Sequence, residues 1–307
     1  MTTTQHQLAL VTVSYGSPYI LFESLRKTAT ALGNSPIKIS CELIVVDNYS
    51  GSENRRLFLQ GIWEFEDSFE QLTVVASSTN IGFGAACNIG ADISDSNFLF
   101  FLNPDAWITS TTGIDEYFQL MGSPMCGAVS PSCFLSTGEQ AQIPRFKLTP
   151  AFYFLSNFKL GKYRNNPYVH LLLPVLSKRI RSFKSVSDYM SSFEPLNKHQ
   201  RVSVVGGSAL CISKQAHDAI NGFDENFFLY EEDYDYCIRL LSKGFINYAS
   251  NYMSVHMMIS GTQHKVSSRT MMSIKYRSRA LFVKKHFRGW RKWLLLIQLH
   301  ALQRLKK

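Results

Sequence analysis

Four short apolar runs, each closed by a polar residue, constrain the fold of this chain more than any other feature. They occupy residues 8–13, 43–46, 72–75 and 98–102 and end at Ser14-Tyr15, Asp47-Asn48, Ala76-Ser77 and Asn103-Pro104-Asp105. The runs are continuous rather than alternating, so each reads as a strand buried on both faces. Helical patterns separate them. After Pro18, Leu21, Leu25, Thr28 and Leu32 share one face, and Gly33-Asn34 stops the pattern. A small-residue helix is expected over 84–93. Strands alternating with helices predict an α/β domain with a parallel sheet. Ligands of such sheets bind past the carboxyl ends of the strands, so Tyr15, Asp47, Asn80 and Asp105 are expected at one rim. With 307 residues, 45% hydrophobic and 18% charged, the chain can fill such a core and is not a disordered polymer.

A second ordered block begins near residue 202. Residues 202–205 read as a strand, Gly206-Gly207 as a turn and 209–212 as a further strand. A short helix capped by Ser213 follows, then a helix over 231–243 with Gly244 at its C-cap. Between the blocks, residues 145–187 hold nine basic and no acidic residues, interleaved with aromatics.

Several motifs can be tested against known chemistry. Gly82-Phe83-Gly84 carries two glycines of a dinucleotide fingerprint, but it follows the third strand, and the first strand–helix turn has only Gly16. A nicotinamide-binding domain is therefore disfavoured, and no Walker A sequence occurs. Residues 224–235 hold seven Asp, Glu or Asn in twelve positions. An EF-hand fails there, because its sixth position is Leu229 and its twelfth Asp235. Glu231, Glu232 and Asp233 are either a solvated helix start or, given Phe227 to Tyr230 just before them, partly buried carboxylates able to act as bases. Asp105 is either a turn residue or a ligand. His256 follows another apolar stretch and reads alone as a core residue.

Together, Val11 to Gly16, Val45 to Ser50, Asn80 to Asn88, Phe101 to Asp105, Gly206 to Leu210 and Gly222 to Arg239 occur in an order that resembles family-2 glycosyltransferases. The likeness is to enzymes of the GT-A fold, a Rossmann-like, mostly parallel sheet, and especially to the bacterial rhamnosyltransferase-like branch that builds surface polysaccharides such as O-antigen and capsule. The resemblance implies that Asp47 accepts a hydrogen bond from the nucleotide base, with Tyr15 packed near it and Asn80 and Gly82 flanking the nucleotide. Asn103-Pro104-Asp105 stands where such enzymes carry DxD. Asn103 would then contact the donor, and Asp105, with His256, would hold Mg²⁺ or Mn²⁺. Asp233 or its competitor Glu232 would be the base of an inverting transfer. The implied donor is dTDP-rhamnose, or else a UDP-hexose or other nucleotide sugar; the implied acceptor is a polyprenyl-diphosphate-linked saccharide. The sequence departs from the family at Gly16, where asparagine is usual, and after His256, where Met257-Met258 replaces a glycine-containing segment.

The resemblance divides the chain into a catalytic domain over 1–268 and a basic helical tail over 269–307. The domain comprises a nucleotide-binding half (1–110), a variable acceptor or lid segment (145–200) and a catalytic half (201–260). The formal charge of +9 is uneven: residues 236–307 carry 15 basic and no acidic residues. In the tail, Trp290, Trp293, Leu294, Ile297, Ala301 and Leu305 recur at helical spacing. Such a face fits the inner surface of the cytoplasmic membrane or, equally, packing on its own domain or on a second subunit in a homodimer. The start of the chain has no signal-peptide core, no CxxC pair occurs, and a cytoplasmic, peripheral protein with reduced core cysteines is expected. Nucleic acid is disfavoured as a partner because Asp47, Asp105 and Asp233 would repel phosphates. A nucleotidyltransferase would carry basic residues after its first strand, and Ser14 to Pro18 has none.

Overall fold

The computed structural model describes residues 6–141, 149–150, 153–154, 198–258 and 268–305. Most of the basic–aromatic segment 145–187 therefore lies outside the described residues. The first half is built as the apolar runs predict. Strands β1 (His6–Ser14), β2 (Ile39–Asp47), β3 (Gln71–Ala76) and β4 (Phe98–Leu102) pair in parallel in the order β3-β2-β1-β4. Helices α1 (Tyr19–Gly33), α2 (Ser52–Gly61) and α3 (Phe83–Ile93) connect them, with a 3₁₀ turn over Ile62–Ser68. The chain moves outward from β1 to β3 and returns to β4 on the other side of β1. The carboxyl ends of β1 and β4 therefore flank the topological switch point, where open α/β sheets bind ligands.

The second half makes the sheet mixed. It adds β5 (Ala106–Ser110), α4 (Ile114–Met121), β6 (Cys126–Leu135), β7 (His199–Val202), β8 (Ala209–Ser213), a short α5 (Lys214–Asp218), α6 (Glu232–Ser242) and β9 (Ile246–Met257). β8 runs antiparallel to β4, and the sheet continues β8-β6-β9-β5, with β7 on β9. The strand expected over 202–205 is instead His199–Val202, an edge strand whose first three residues are exposed. Val204 and Val205 are buried in the connection that follows it.

Two cores lie on opposite faces of the sheet, sorted by the two-residue period of each strand. Leu8, Leu10, Leu43, Val45 and Phe100 pack against α1, α2 and α4, whereas Ala9, Val11, Ile44, Val46 and Phe101 pack against α3 and α6. Each of these Val, Leu, Ile and Phe side chains contributes about 1.5–3 kcal/mol by leaving water. Contact between α3 and β1 is close enough to require glycine: a Cβ on Gly90 would lie 2.4 Å from Val11 Cγ1. Gly90→Val should lower stability by about 1–3 kcal/mol through overpacking; an unchanged Tm would contradict this contact.

α6 ends in a Schellman motif. Phe245 N–H donates to Leu240 O and Gly244 N–H to Leu241 O, each at 3.1 Å, with Gly244 at φ 91° one residue past the Lys243 cap. Two helices follow, α7 (Ser268–His286) and α8 (Gly289–Leu305). They bury Phe282, Val283, Phe287, Leu295 and Leu299 in a third cluster with Tyr153 and Phe227. All six cysteines are buried thiols, as expected. No helix among the described residues is long and apolar enough to cross a membrane.

Candidate active site

The polar residues past the strand ends are linked into one continuous rim. At the β1 end, Gly16 takes φ 90°, a region that favours glycine. Its N–H donates to Ser50 Oγ (3.0 Å), and Tyr15 beside it is exposed. Asp47, at the end of β2, is fully buried. Its Oδ1 accepts the Ser50 N–H at 3.0 Å and its Oδ2 meets Arg55 Nε at 2.6 Å. Arg55 also donates to the Ser77 carbonyl, tying β2, α2 and the end of β3 together. Asp47 therefore turns its carboxylate into the protein and organises the loop that follows it.

The next links are amides. Asn48 Nδ2 donates to Asn80 Oδ1 (3.1 Å) and Gly82 O (3.0 Å), and its Oδ1 accepts the Ile81 N–H (2.9 Å). Asn80 Oδ1 also accepts the Gly82 N–H (3.0 Å). Gly82 has φ 93°, and a Cβ there would lie 2.6 Å from Phe228 O, the atom that accepts the Phe83 N–H. The glycine thus admits the backbone of the acidic loop. Asn88, deeper in α3, holds the same loop from inside: its Oδ1 accepts the Phe223 N–H (2.8 Å) and its Nδ2 donates to Phe223 O (3.0 Å).

Beyond that loop, Asp233 Oδ2 accepts the Gly207 N–H (2.8 Å), and Ser208 O accepts the Asn103 N–H (2.9 Å). Gly207 and Ser208 therefore bridge Asp233 to the Asn103-Pro104-Asp105 turn. Asp105 is buried beside the switch point, and its carbonyl accepts the Met258 N–H (2.9 Å). His256 lies on β9, two residues before Met258, whose N–H meets the Asp105 carbonyl. It pairs with Trp107 in the β5–β9 ladder, and its ring meets Trp107 and Phe134 edge-on at 6.2 and 5.8 Å.

The structure separates the two candidate bases. Glu232 is buried, whereas Asp233 is half-buried. Burial, reinforced by the charge of Glu231, pushes the Asp233 carboxyl up to about 6. Burial and then the charge of Asp233 drive Glu232 well above the usual carboxylate range. Asp235 behaves oppositely. Burial alone would raise it, but hydrogen bonds from His286, Lys285 and Arg239 hold it at about 2. That group adds stability that is complete above about pH 4 and is lost as pH falls through 2.

The loop entering α6 is strained. Tyr230 and Glu231 are consecutive non-glycine residues at φ 71° and 67°, and such residues persist only where neighbours over-determine them. Two contacts from α7 do so: Ser278 Oγ donates to Leu229 O (2.7 Å), and Arg279 Nε meets Glu231 Oε1 at 2.9 Å. Sequence reasoning missed Arg279, Arg55 and Asn48. Arg279 lies 48 residues from its partner, and no local pattern reports such a pairing. Arg279→Met should destabilise the fold by about 3–5 kcal/mol, since it leaves the buried Glu231 charge unmatched. Chemical denaturation measures this, and a loss below about 1 kcal/mol would contradict the pairing.

Whether these residues suit a divalent cation depends on the donor set. No group of three His, Cys, Asp or Glu side chains suited to a metal occurs among the described residues. A buried carboxylate such as Asp105, completed by substrate phosphates and water, matches the way Mg²⁺ is commonly held.

The profile described as "Glycosyl transferase family 2" matches residues 10–188, more than half of the chain. The protein belongs to this family, and its architecture is the GT-A fold. A search of curated protein sequences returns no significant match. Similar solved structures include GalNAc-T7 with UDP, GalNAc and Mn²⁺ (12% identity, TM-score 0.60, 92% of this chain and 48% of that one). Another is the Pyrobaculum calidifontis mannosyltransferase PcManGT with GDP-Man and Mn²⁺ (12%, TM-score 0.56, 99% and 70%). A third is S. aureus TarS residues 1–349 (11%, TM-score 0.52, 95% and 70%). The chain spans about half the length of the first of these.

Proposed function

We propose that this protein is an inverting glycosyltransferase that moves a sugar from a nucleotide donor onto an acceptor hydroxyl. One observation carries the proposal. The switch-point carboxylate Asp105 and the half-buried Asp233 are joined through Gly207 and Ser208 at one rim, with the Asn80–Gly82 turn on the same edge. Family membership supports the reaction class, and solved neighbours with UDP or GDP-Man support a nucleotide sugar as donor.

In this mechanism the donor lies across the switch point, near Tyr15 and the Asn80–Gly82 turn. Asp47 shapes that pocket from behind, through Ser50 and Arg55. Asn103 and Asp105 face the diphosphate. Asp105 is the residue proposed to hold Mg²⁺ or Mn²⁺, with His256 as a candidate second ligand; when bound, the cation stabilises charge on the leaving diphosphate. Asp233 Oδ accepts the acceptor's hydroxyl proton, and the oxygen attacks the anomeric carbon from the face opposite the nucleotide. The Gly207 N–H orients Asp233, and its raised acidity range suits a base working near neutral pH. Glu232 is more buried and more strongly raised, which suits it less to that role.

The finer reading is a rhamnosyl donor, dTDP-rhamnose, and a polyprenyl-diphosphate-linked saccharide acceptor at the cytoplasmic membrane surface, in surface-polysaccharide synthesis. It rests on the motif series and on the basic tail. A thermal-shift screen of nucleotide sugars with Mn²⁺ tests the donor, because binding stabilises the native state by mass action. dTDP-rhamnose should give the largest rise in Tm. A larger rise with a UDP- or GDP-sugar would move the donor to that class.

A further inference from the structure

Helix α8 is apolar on two opposite faces. At roughly 100° per residue, Leu295, Leu299 and Leu302 share one side, and Trp290, Trp293, Leu294, Ile297 and Ala301 share the other. The first side packs in the cluster with Phe282 and Val283. No described residue covers the second: Trp290 is 70% exposed, Ile297 66%, Trp293 64% and Leu294 47%. Four large apolar side chains on one exposed stripe are unusual for a soluble surface. Exposed Arg288, Arg291 and Arg304 lie along the same helix and its approach, and no acidic residue occurs anywhere from 236 to 307.

We infer that the Trp290–Trp293–Leu294–Ile297 stripe of α8 docks the protein on an anionic lipid bilayer. Charge selects this occupant. A purely protein partner would need only an apolar surface, whereas tryptophans flanked by arginines with no acidic partner among the described residues match the boundary between acidic headgroups and acyl chains. The tryptophans suit that boundary because each combines a large apolar ring with one N–H donor. Lys292 and Arg291 lie 5.7 and 5.5 Å from the Trp293 and Trp290 ring centroids, bringing cation and ring to the same contact. α7 connects the stripe rigidly to the active site, since it packs with α8 while Ser278 and Arg279 grip the loop before Asp233. Docking therefore fixes the catalytic rim relative to the membrane. This gives a surface to the lipid-linked acceptor of the proposed function, and it is tested without donor or acceptor.

The full chain and the variant W290S/W293S/I297S are floated with vesicles of phosphatidylglycerol and phosphatidylcholine, and with phosphatidylcholine alone. All three substitutions are on the surface, and a matching Tm checks that the variant is folded. The wild type should float with the anionic vesicles only, with its tryptophan emission shifted to the blue. The variant should lose binding by about tenfold or more, and rising salt should weaken the wild type. Equal flotation of the two proteins, or no flotation of the wild type, would overturn the inference. So would a wild-type dimer that the variant converts to monomer without any vesicle binding, which would make the stripe a subunit interface.

Discussion

Asp233→Asn should lower turnover by about 10²–10⁴-fold, the range typical of losing a positioned base, while donor affinity changes little. The amide keeps the shape of the carboxyl and can still accept the Gly207 N–H at its oxygen, but it cannot take the acceptor's proton. Two further readouts separate this from a misfolded variant. In the wild type, turnover should fall as pH drops through about 6, where Asp233 becomes protonated. The stability effect has the opposite sign. A carboxyl raised from its unfolded value disfavours the folded state increasingly as pH climbs from about 4 to 6, and by a constant amount above that. Asp233→Asn should therefore be at least as stable as the wild type at pH 7.5. A dead variant with a lowered Tm would make Asp233 structural. Near-native turnover would place the base elsewhere.

Asp47→Ala should lower stability by about 3–5 kcal/mol, the usual cost of breaking a buried ion pair from one side. The effect is large because the Asp47 carboxylate has no access to water and serves two partners at once, the Ser50 N–H and Arg55. Removing it leaves Arg55 without its anion and releases the loop that holds Gly16 through Ser50. Donor affinity should fall along with stability. Asp47→Asn should be milder in both, because it preserves the shape and can still accept the Ser50 N–H. Urea denaturation of the pair checks this, and equal stability of Asp47→Ala and wild type would remove Asp47 from its organising role.

Most of the first hundred residues was legible because strands buried on both faces appear as unbroken apolar runs, and their polar ends mark the rim directly. Tyr15, Asp47, Asn80, Gly82 and Asp105 fall on that rim for this reason. The second half was harder to read. β7 exposes His199, Gln200 and Arg201, so it has no apolar signal, while the buried connection 204–205 does. The reversed direction of β8 is a property of its pairing with β4 and leaves no local trace. The orientation of Asp47 was also hidden, since an aspartate facing a ligand and one facing Arg55 look alike in sequence. α8 carries apolar residues on both sides, so spacing alone could not say which side packs. The Arg279–Glu231 pair lay beyond any motif spacing.

Product analysis tests the central claim most directly. Protein, Mn²⁺, the donor selected by thermal shift and a polyprenyl-diphosphate-linked saccharide are incubated together. Released nucleotide and new glycoside are then quantified, and the anomeric configuration is read by proton NMR. Attack by the acceptor hydroxyl opposite the nucleotide predicts one nucleoside diphosphate per glycosidic bond, an inverted anomeric centre, and loss of both products with Asp233→Asn. Pyrophosphate release, or a product that keeps the donor's anomeric configuration, would contradict it.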